Sequence, residues 1–297
     1  MTTQVTAELL RGWPLPSPEA SEKHSRGVAL VVAGSAQTPG AARLAAEAAL
    51  RAGCGKVRIA TVAAVAPHLA TLVPEARVYG FGETASGSLS ASSADEIVDI
   101  AREADVTLVG SGFVDPAHAA SLVAALAPAL RGPVVLDALA TAYVDEHQDL
   151  DDVDGPCVLT VNPAELAEVL DLDVGSVQRD PEGAARALTG RSGAVVLLGG
   201  ETKVVTAAGA PTHVVTAGGP GLATAGSGDV QAGLVAGLLA RGAEPDQAAV
   251  WAAWLHATAG DRLAARVGTM GFLARELAAE VPALLDELGT TPGAQPG

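Results

Sequence analysis

Six short runs of valine, leucine, isoleucine and alanine recur along this chain, and segments with helical spacing lie between them. The runs are residues 28–33, 56–61, 106–109, 134–136, 158–160 and 194–198. A strand that is buried on both faces has such an unbroken apolar pattern, because both faces contact other elements. The alternation predicts an α/β fold of three layers, in which helices cover both faces of a largely parallel central sheet.

The rest of the chain extends this sheet and then becomes helical. Residues 203–206 and 213–216 flank a Gly/Pro turn and predict an antiparallel hairpin. Amphipathic helices are predicted over 245–263 and 271–288, with Pro282 marking a break or a helix start. We find no linker or internal repeat, so we predict an N-terminal arm over 1–25, a single domain over 26–288 and a disordered tail over 289–297.

The charge balance limits the partners of the chain. Its formal net charge is -16, which argues against binding to nucleic acid or to a membrane surface, since both need clustered Lys and Arg. An anionic ligand would instead be held by backbone N–H groups, a helix N-terminus or a divalent cation.

The two cysteines, Cys54 and Cys157, have no metal-ligand spacing and are interpreted as small buried apolar residues. With no membrane-length apolar stretch, we expect a soluble cytoplasmic protein.

Polar and glycine residues follow most of the predicted strands. They are Gly34-Ser35, Gly110-Ser111-Gly112, Asp137, Asn162 and Gly199-Gly200. Each could be an ordinary turn. The carboxyl ends of parallel strands lie at one edge of a sheet, where ligands bind in folds of this class. Their shared position therefore favours a ligand site.

Residues 218–229 combine glycines, hydroxyls and one carboxylate at the start of a predicted helix. Glycines let the backbone approach an anion, and the N–H groups of a helix start point at it. Asp229 ends this segment. It is interpreted either as a cap of the helix or as a group that takes a proton from an attacking hydroxyl or helps to hold a cation. The length of the glycine-rich run favours a functional role.

The segments that follow the strands, taken together, resemble a known family. They are 34–35, 39–42, 48–53, 110–112, 135–138, 159–165, 221–229 and 255–261. This set is similar, over nearly the whole chain, to the ADP- or ATP-dependent (S)-NAD(P)H-hydrate dehydratases of the ribokinase-like superfamily. The resemblance implies a ribokinase-like fold and a carbon–oxygen lyase that repairs a damaged cofactor.

In that reaction the enzyme removes water from the S epimer of NADHX or NADPHX and regenerates NADH or NADPH. ADP or ATP is consumed, and AMP or ADP forms with phosphate. The resemblance makes Asp229 the catalytic base and places Ala41, Gly112 and Asn162 beside the hydrate, together with Asp229. It also implies Mg²⁺ on the nucleotide's phosphates and a homo-oligomer such as a tetramer, whereas it assigns no metal-ligating residue.

The resemblance also assigns a nucleotide site in two segments. The residues are Gly199, Gly200, Glu201, Thr202, Ala225, Gly226, Ser227 and Gly228. The backbone N–H groups of the second segment would stabilise charge on the transferring phosphoryl group.

Three positions depart from the family's usual residues. Leu198 stands where a lysine is usual, Asn162 replaces a histidine, and Leu139 replaces a second aspartate. Lys203 follows Leu198 closely, but it falls in the next predicted strand and the sequence does not fix the direction of its side chain.

Two other functions fit the same residues. One is a kinase of the same superfamily that phosphorylates a vitamin precursor or a sugar, and the other is a nucleotide-binding protein without catalysis. His256 and Trp254 lie on an alanine-rich helix and are interpreted as packing residues.

Overall fold

A largely parallel sheet forms the centre of the structure. The structure is a computed structural model that describes residues 1–16, 26–147 and 149–289. Within these residues the strands are β1 (Thr2–Gln4), β2 (Val28–Val32), β3 (Lys56–Val62), β4 (Ala76–Phe81), β5 (Val106–Val109), β6 (Val134–Asp137), β7 (Cys157–Val161), β8 (Val195–Leu198), β9 (Lys203–Thr206) and β10 (Thr212–Val215). They pair in the order β1-β10-β9-β8-β7-β6-β5-β2-β3-β4. β9 is antiparallel to both of its neighbours, and the other pairs are parallel.

Helices cover both faces of this sheet. They are α1 (Ala7–Gly12), α2 (Pro39–Arg51), α3 (Ala66–Leu72), α4 (Ala94–Ala101), α5 (Pro116–Leu126), α6 (Ala142–His147), α7 (Pro163–Leu170), α8 (Val174–Arg179), α9 (Pro181–Ser192), α10 (Ser227–Ala240), α11 (Pro245–Arg266) and α12 (Ala274–Glu287). α2, α10, α11 and α12 pack together in one layer, and α4 to α9 pack in sequence in the other. The predicted three-layer α/β fold is confirmed. None of the helices in the described ranges is both long and apolar enough to span a membrane.

Helix α10 lies at the centre of its layer and is apolar nearly all round. It packs against α2, α11 and α12 and against the middle of the sheet. Two glycines let α2 approach closely: a Cβ atom at Gly233 would lie 2.2 Å from the carbonyl oxygen of Ala45, and one at Gly237 would lie 2.5 Å from that of Ala49. The two helices are therefore in backbone contact along the middle of α10.

The N-terminal segment differs from the predicted arm. β1 pairs in parallel with β10 at the edge of the sheet, and Leu10 of α1 is fully buried. The ring of Trp13 stacks on His213, and its carbonyl oxygen accepts a hydrogen bond from Trp251 Nε1 at 3.0 Å. Pairing with β10 and these buried contacts hold the first residues of the chain against the domain. From the sequence alone, the same residues were predicted to form an arm. Residues 17–25 of that arm, and 290–297 of the predicted tail, lie outside the described residues.

Pro282 lies inside α12, whereas a break or a helix start was predicted. Proline removes one hydrogen bond from a helix interior. Leu277, Val281 and Leu284 are buried on both sides of it, and α12 packs on α11 and α2. This packing offsets the lost hydrogen bond, so the helix continues.

Candidate active site at the carboxyl edge of the sheet

A cavity of about 860 Å³ lies where the carboxyl ends of β6, β7 and β8 face the start of α10. Its wall includes the segment 218–224, the turn at 199–201 and two buried side chains, Lys203 and His256. The strand-end turns at Asp137, Asn162 and Gly199 thus meet in one place, as the parallel sheet predicts.

Asp229 stands in the first turn of α10, and Gly226 occupies the position that caps this helix. Gly226 has a φ of 87° and no side chain, and no side-chain cap is formed. The first N–H groups of α10 therefore have no side-chain acceptor and can bind an anionic ligand. The alternative interpretation, in which Asp229 serves as the cap, does not describe this helix.

Two further carboxylates share the cavity with Asp229. The oxygens of Asp137 accept hydrogen bonds from Ser111 Oγ at 2.6 Å and Thr160 Oγ1 at 2.7 Å. Burial raises the pKa of Asp137. Burial, and then the negative charges of Asp137 and Glu165, raises the pKa of Asp229 to about 7. A carboxylate of this kind can accept a proton near neutral pH.

Glu165 and Asn162 together cap helix α7. Asn162 Oδ1 accepts hydrogen bonds from the backbone N–H of Ala164 at 2.8 Å and of Glu165 at 3.0 Å. Glu165 Oε2 in turn accepts from the backbone N–H of Asn162 at 2.9 Å. Burial is the main reason that the pKa of Glu165 rises to about 7. The oxygen of Asn162 is thus used in the fold, and only its amide nitrogen remains for a ligand.

Substituting Asn162 with alanine should therefore lower the free energy of unfolding by about 1 kcal/mol, because α7 loses its cap. Asn162→Ser is the matched control, since serine also caps helices well and should stay within a few tenths of a kcal/mol of the wild type. Chemical denaturation of the three proteins measures the difference. Equal losses in both variants would show that the cap has no energetic role.

A buried polar network lies behind the start of α10. Lys203 is 4% exposed, and its Nζ donates a hydrogen bond to Gln231 Oε1 at 2.7 Å. His256 Nε2 lies 2.9 Å from both the side-chain and the main-chain oxygen of Ser227. Burial, and then the charge of Lys203, lowers the pKa of His256 well below its usual value. His256 is therefore a neutral ring that supports the helix start, and it lines the cavity besides filling the core.

Most of the predicted site residues lie on the cavity wall. They are Asn162, Gly199, Gly200, Glu201, Gly226, Ser227, Gly228 and Asp229. The four others, Ala41, Gly112, Thr202 and Ala225, do not line it. Ala41 and Gly112 lie against each other, because a Cβ atom at Gly112 would be 2.5 Å from the Cβ of Ala41.

Gln231, Lys203 and Glu165 line the cavity, and the sequence alone assigned none of them to the site. Gln231 and Lys203 are buried polar residues in elements that are mostly apolar, α10 and β9. Such a residue is a signal of an internal polar partner or ligand, since burying it alone costs free energy. No group of three or more His, Cys, Asp or Glu side chains within the described ranges is arranged to hold a metal ion.

Sequence comparison gives one clear family. The sequence model of a family described as NAD(P)H-hydrate dehydratase matches residues 29–283. The chain is 41% identical over 285 residues to an ADP-dependent (S)-NAD(P)H-hydrate dehydratase of Xanthomonas campestris pv. campestris, and the match covers 96% of each chain. It spans only about half the length of other relatives, which are bifunctional NAD(P)H-hydrate repair enzymes.

Solved structures with the same architecture agree with this. An ADP/ATP-dependent NAD(P)H-hydrate dehydratase from Bacillus subtilis, co-crystallised with ATP/Mg²⁺, superposes with a TM-score of 0.83 at 26% identity. The match covers 95% of this chain and 97% of that one. A ribokinase-like superfamily protein from Enterococcus faecalis has a TM-score of 0.78 at 22% identity, with 97% and 96% of the two chains covered. The predicted ribokinase-like fold is confirmed.

Proposed function

Because this chain belongs to the NAD(P)H-hydrate dehydratase family, we propose that it removes water from (S)-NAD(P)H hydrate, with ADP or ATP as co-substrate. AMP or ADP and phosphate are the other products. The observation that carries this proposal is the position of Asp229. This carboxylate has a raised pKa and lies in the first turn of α10, a helix that has no side-chain cap and whose start faces a large cavity.

Phosphorylation solves the chemical difficulty of this reaction, since hydroxide is a poor leaving group and phosphate is a good one. Asp229 accepts the proton of the hydrate's hydroxyl while the hydroxyl oxygen bonds to the terminal phosphorus of the nucleotide. The bond from this phosphorus to the bridging oxygen breaks at the same time. The first-turn N–H groups of α10 stabilise the charge on the transferring group. The lone pair of the ring nitrogen then expels phosphate, and loss of a proton from the adjacent ring carbon restores the double bond.

The side chains of the cavity fit a magnesium ion that binds chiefly to the nucleotide. Mg²⁺ in such sites takes one or two protein carboxylates, and phosphates and water supply the other ligands. Glu165 presents a carboxylate at the cavity, and it is the residue that we assign to this ion. The metal would neutralise the phosphates' negative charge, which would otherwise oppose attack by the hydroxyl.

A direct test incubates the purified protein with the S epimer of the hydrate, Mg²⁺ and either ADP or ATP. Recovery of NADH or NADPH with equal amounts of phosphate is the expected result. Accumulation of a phosphorylated product would favour the kinase interpretation, and nucleotide binding without turnover would favour a non-catalytic protein.

We also propose a cytoplasmic homo-oligomer such as a tetramer, on the strength of the family resemblance, and light scattering on the purified protein tests its size.

The pH dependence of the reaction should report on Asp229. The base must be unprotonated, and its pKa is raised to about 7, so kcat/KM for the hydrate should rise as the pH increases through about 7. Below that pH, it should fall about tenfold per pH unit. Rates measured across this range provide the test.

Glu165→Gln sharpens this test, because it removes one of the two neighbouring charges that raise the pKa of Asp229. The rise in kcat/KM should then occur at lower pH. A rise that stays at the same pH in the variant would contradict the assignment of Asp229 as the titrating base.

A further inference from the structure

Lys203 is a buried cation that bonds to one side chain in the part of the chain that the structure describes. Its ammonium group has three N–H donors, and one of them bonds to Gln231 Oε1 at 2.7 Å. Within the described ranges, Lys203 forms no ion pair with a carboxylate. The side chain also lines the cavity. Donors therefore remain for a ligand in the cavity.

A buried ammonium group is unfavourable unless an anion lies beside it. Burying a charge without a counter-ion costs free energy, and the group responds by a shift in its pKa. Burial lowers the pKa of Lys203 to about 8, so the ammonium form still predominates at pH 7. His256, whose pKa this charge lowers, is a neutral ring, and its Nδ1 has no hydrogen-bond partner among the described residues.

The position of Lys203 identifies the part of the ligand that it faces. Gln231 follows Asp229 by two residues in α10, and the ring of His256 contacts Ser227 at the start of the same helix. Lys203 is therefore held against the N-terminal half of α10, the helix that carries Asp229. A phosphoryl group that reacts beside Asp229 lies in the same cavity, whose wall includes Lys203.

The register of β8 and β9 shows that Lys203 does not simply take the position of the missing family lysine. Leu198 pairs with Val204, and successive residues of a strand point to opposite faces of the sheet. Lys203 consequently points to the face opposite Leu198, the face on which α10 and α11 supply Gln231 and His256.

Resting on the proposed function, we propose that Lys203 binds the terminal phosphate of the nucleotide and supplies the positive charge that Leu198 cannot. Gln231 is the positioning residue that holds the ammonium group at the cavity wall. The α-phosphate and the adenosine do not need this contact, so the lysine distinguishes a nucleoside diphosphate from a monophosphate.

The test compares the binding of ADP and AMP by titration calorimetry at pH 7, without the hydrate. Lys203→Met removes the charge and keeps an unbranched chain. We expect ADP to bind about 10 to 100 times more weakly, as is typical when a hydrogen bond to a charged group is lost, while AMP affinity stays within about threefold of the wild type. Lys56→Met removes the same charge from β3, outside the cavity wall, and should change neither affinity.

Gln231→Leu tests the positioning role. It should weaken ADP binding in the wild type but have no further effect in the Lys203→Met background, because it acts only through the lysine. Lys203→Met should also unfold at the same or a higher temperature, since replacing a buried charge by an apolar side chain is often neutral or stabilising. If that variant fails to fold, Lys203→Gln carries the same comparison.

Equal loss of ADP and AMP affinity, or no loss of either, would overturn the proposal. These binding measurements need no turnover, so they stand apart from the assay of NAD(P)H recovery. A wild type that binds ADP through Lys203 but regenerates no NAD(P)H would contradict the proposed function and leave this inference intact.

Discussion

Replacing Asp229 by asparagine is expected to lower kcat for NAD(P)H recovery by about 10² to 10⁴-fold, the usual contribution of general base catalysis. Asparagine keeps the shape of the side chain but cannot accept the proton of the hydroxyl. Asp95→Asn is the matched control, because Asp95 also lies in the first turn of a helix, α4, but is exposed and outside the cavity. Its activity should equal that of the wild type. Equal NAD(P)H recovery by the Asp229 variant would refute the mechanism.

The same variant should change how stability depends on pH. The pKa of Asp229 is about 7 in the folded protein and 3.8 for an ordinary aspartate. The folded protein thus keeps a proton that the unfolded chain releases, and the stability from this group is lost as the pH rises from about 4 to 7. Asparagine carries no such charge. The difference in free energy of unfolding between Asp229→Asn and the wild type should therefore shift in favour of the variant as the pH rises from about 4 to 7. Above about pH 7 it should stay constant.

Replacing Gly233 by alanine is expected to lower the free energy of unfolding by about 3 kcal/mol, which is the upper part of the range for overpacking a core. The new methyl carbon would lie 2.2 Å from the carbonyl oxygen of Ala45. The obstacle is the backbone of α2, so the two helices must move apart. The melting temperature should fall by about 5 °C.

Gly190→Ala is the control for this prediction. Gly190 lies in α9, is exposed, and would meet no atom within 4 Å if it carried a Cβ. Alanine is the better helix former by about 0.8 to 1 kcal/mol, so this variant should be slightly more stable than the wild type. If both substitutions raise the melting temperature, the close approach of α2 and α10 does not constrain the fold.

The sequence predicted the central strands well because they are buried on both faces and have unbroken apolar runs. β4 was missed for the opposite reason. It lies at the far edge of the sheet, where Arg77 is exposed, Tyr79 is partly buried, and the guanidinium lies 4.9 Å from the ring centroid. A partly solvated edge strand lacks the apolar run that identified the others.

The candidate site was predictable to the same extent. The parallel sheet brings the strand-end residues together, so Asp137, Asn162 and Gly199 could be grouped from the sequence, and Asp229 was found from its glycine-rich segment. The direction of Lys203 could not, because it depends on the register between β8 and β9. The capping role of the Asn162 oxygen likewise depends on the geometry of α7, although the spacing to Glu165 is a known capping signature.

The pairing of β1 with β10 has a consequence for biosynthesis. Thr2 aligns with Thr212, so β1 leaves the ribosome about 210 residues before the strand with which it pairs. At typical rates of translation this delay is about 10 to 40 s. The segment that completes one edge of the sheet must therefore stay free of other partners until β10 has been made, so its docking is a late event in the folding of this sheet.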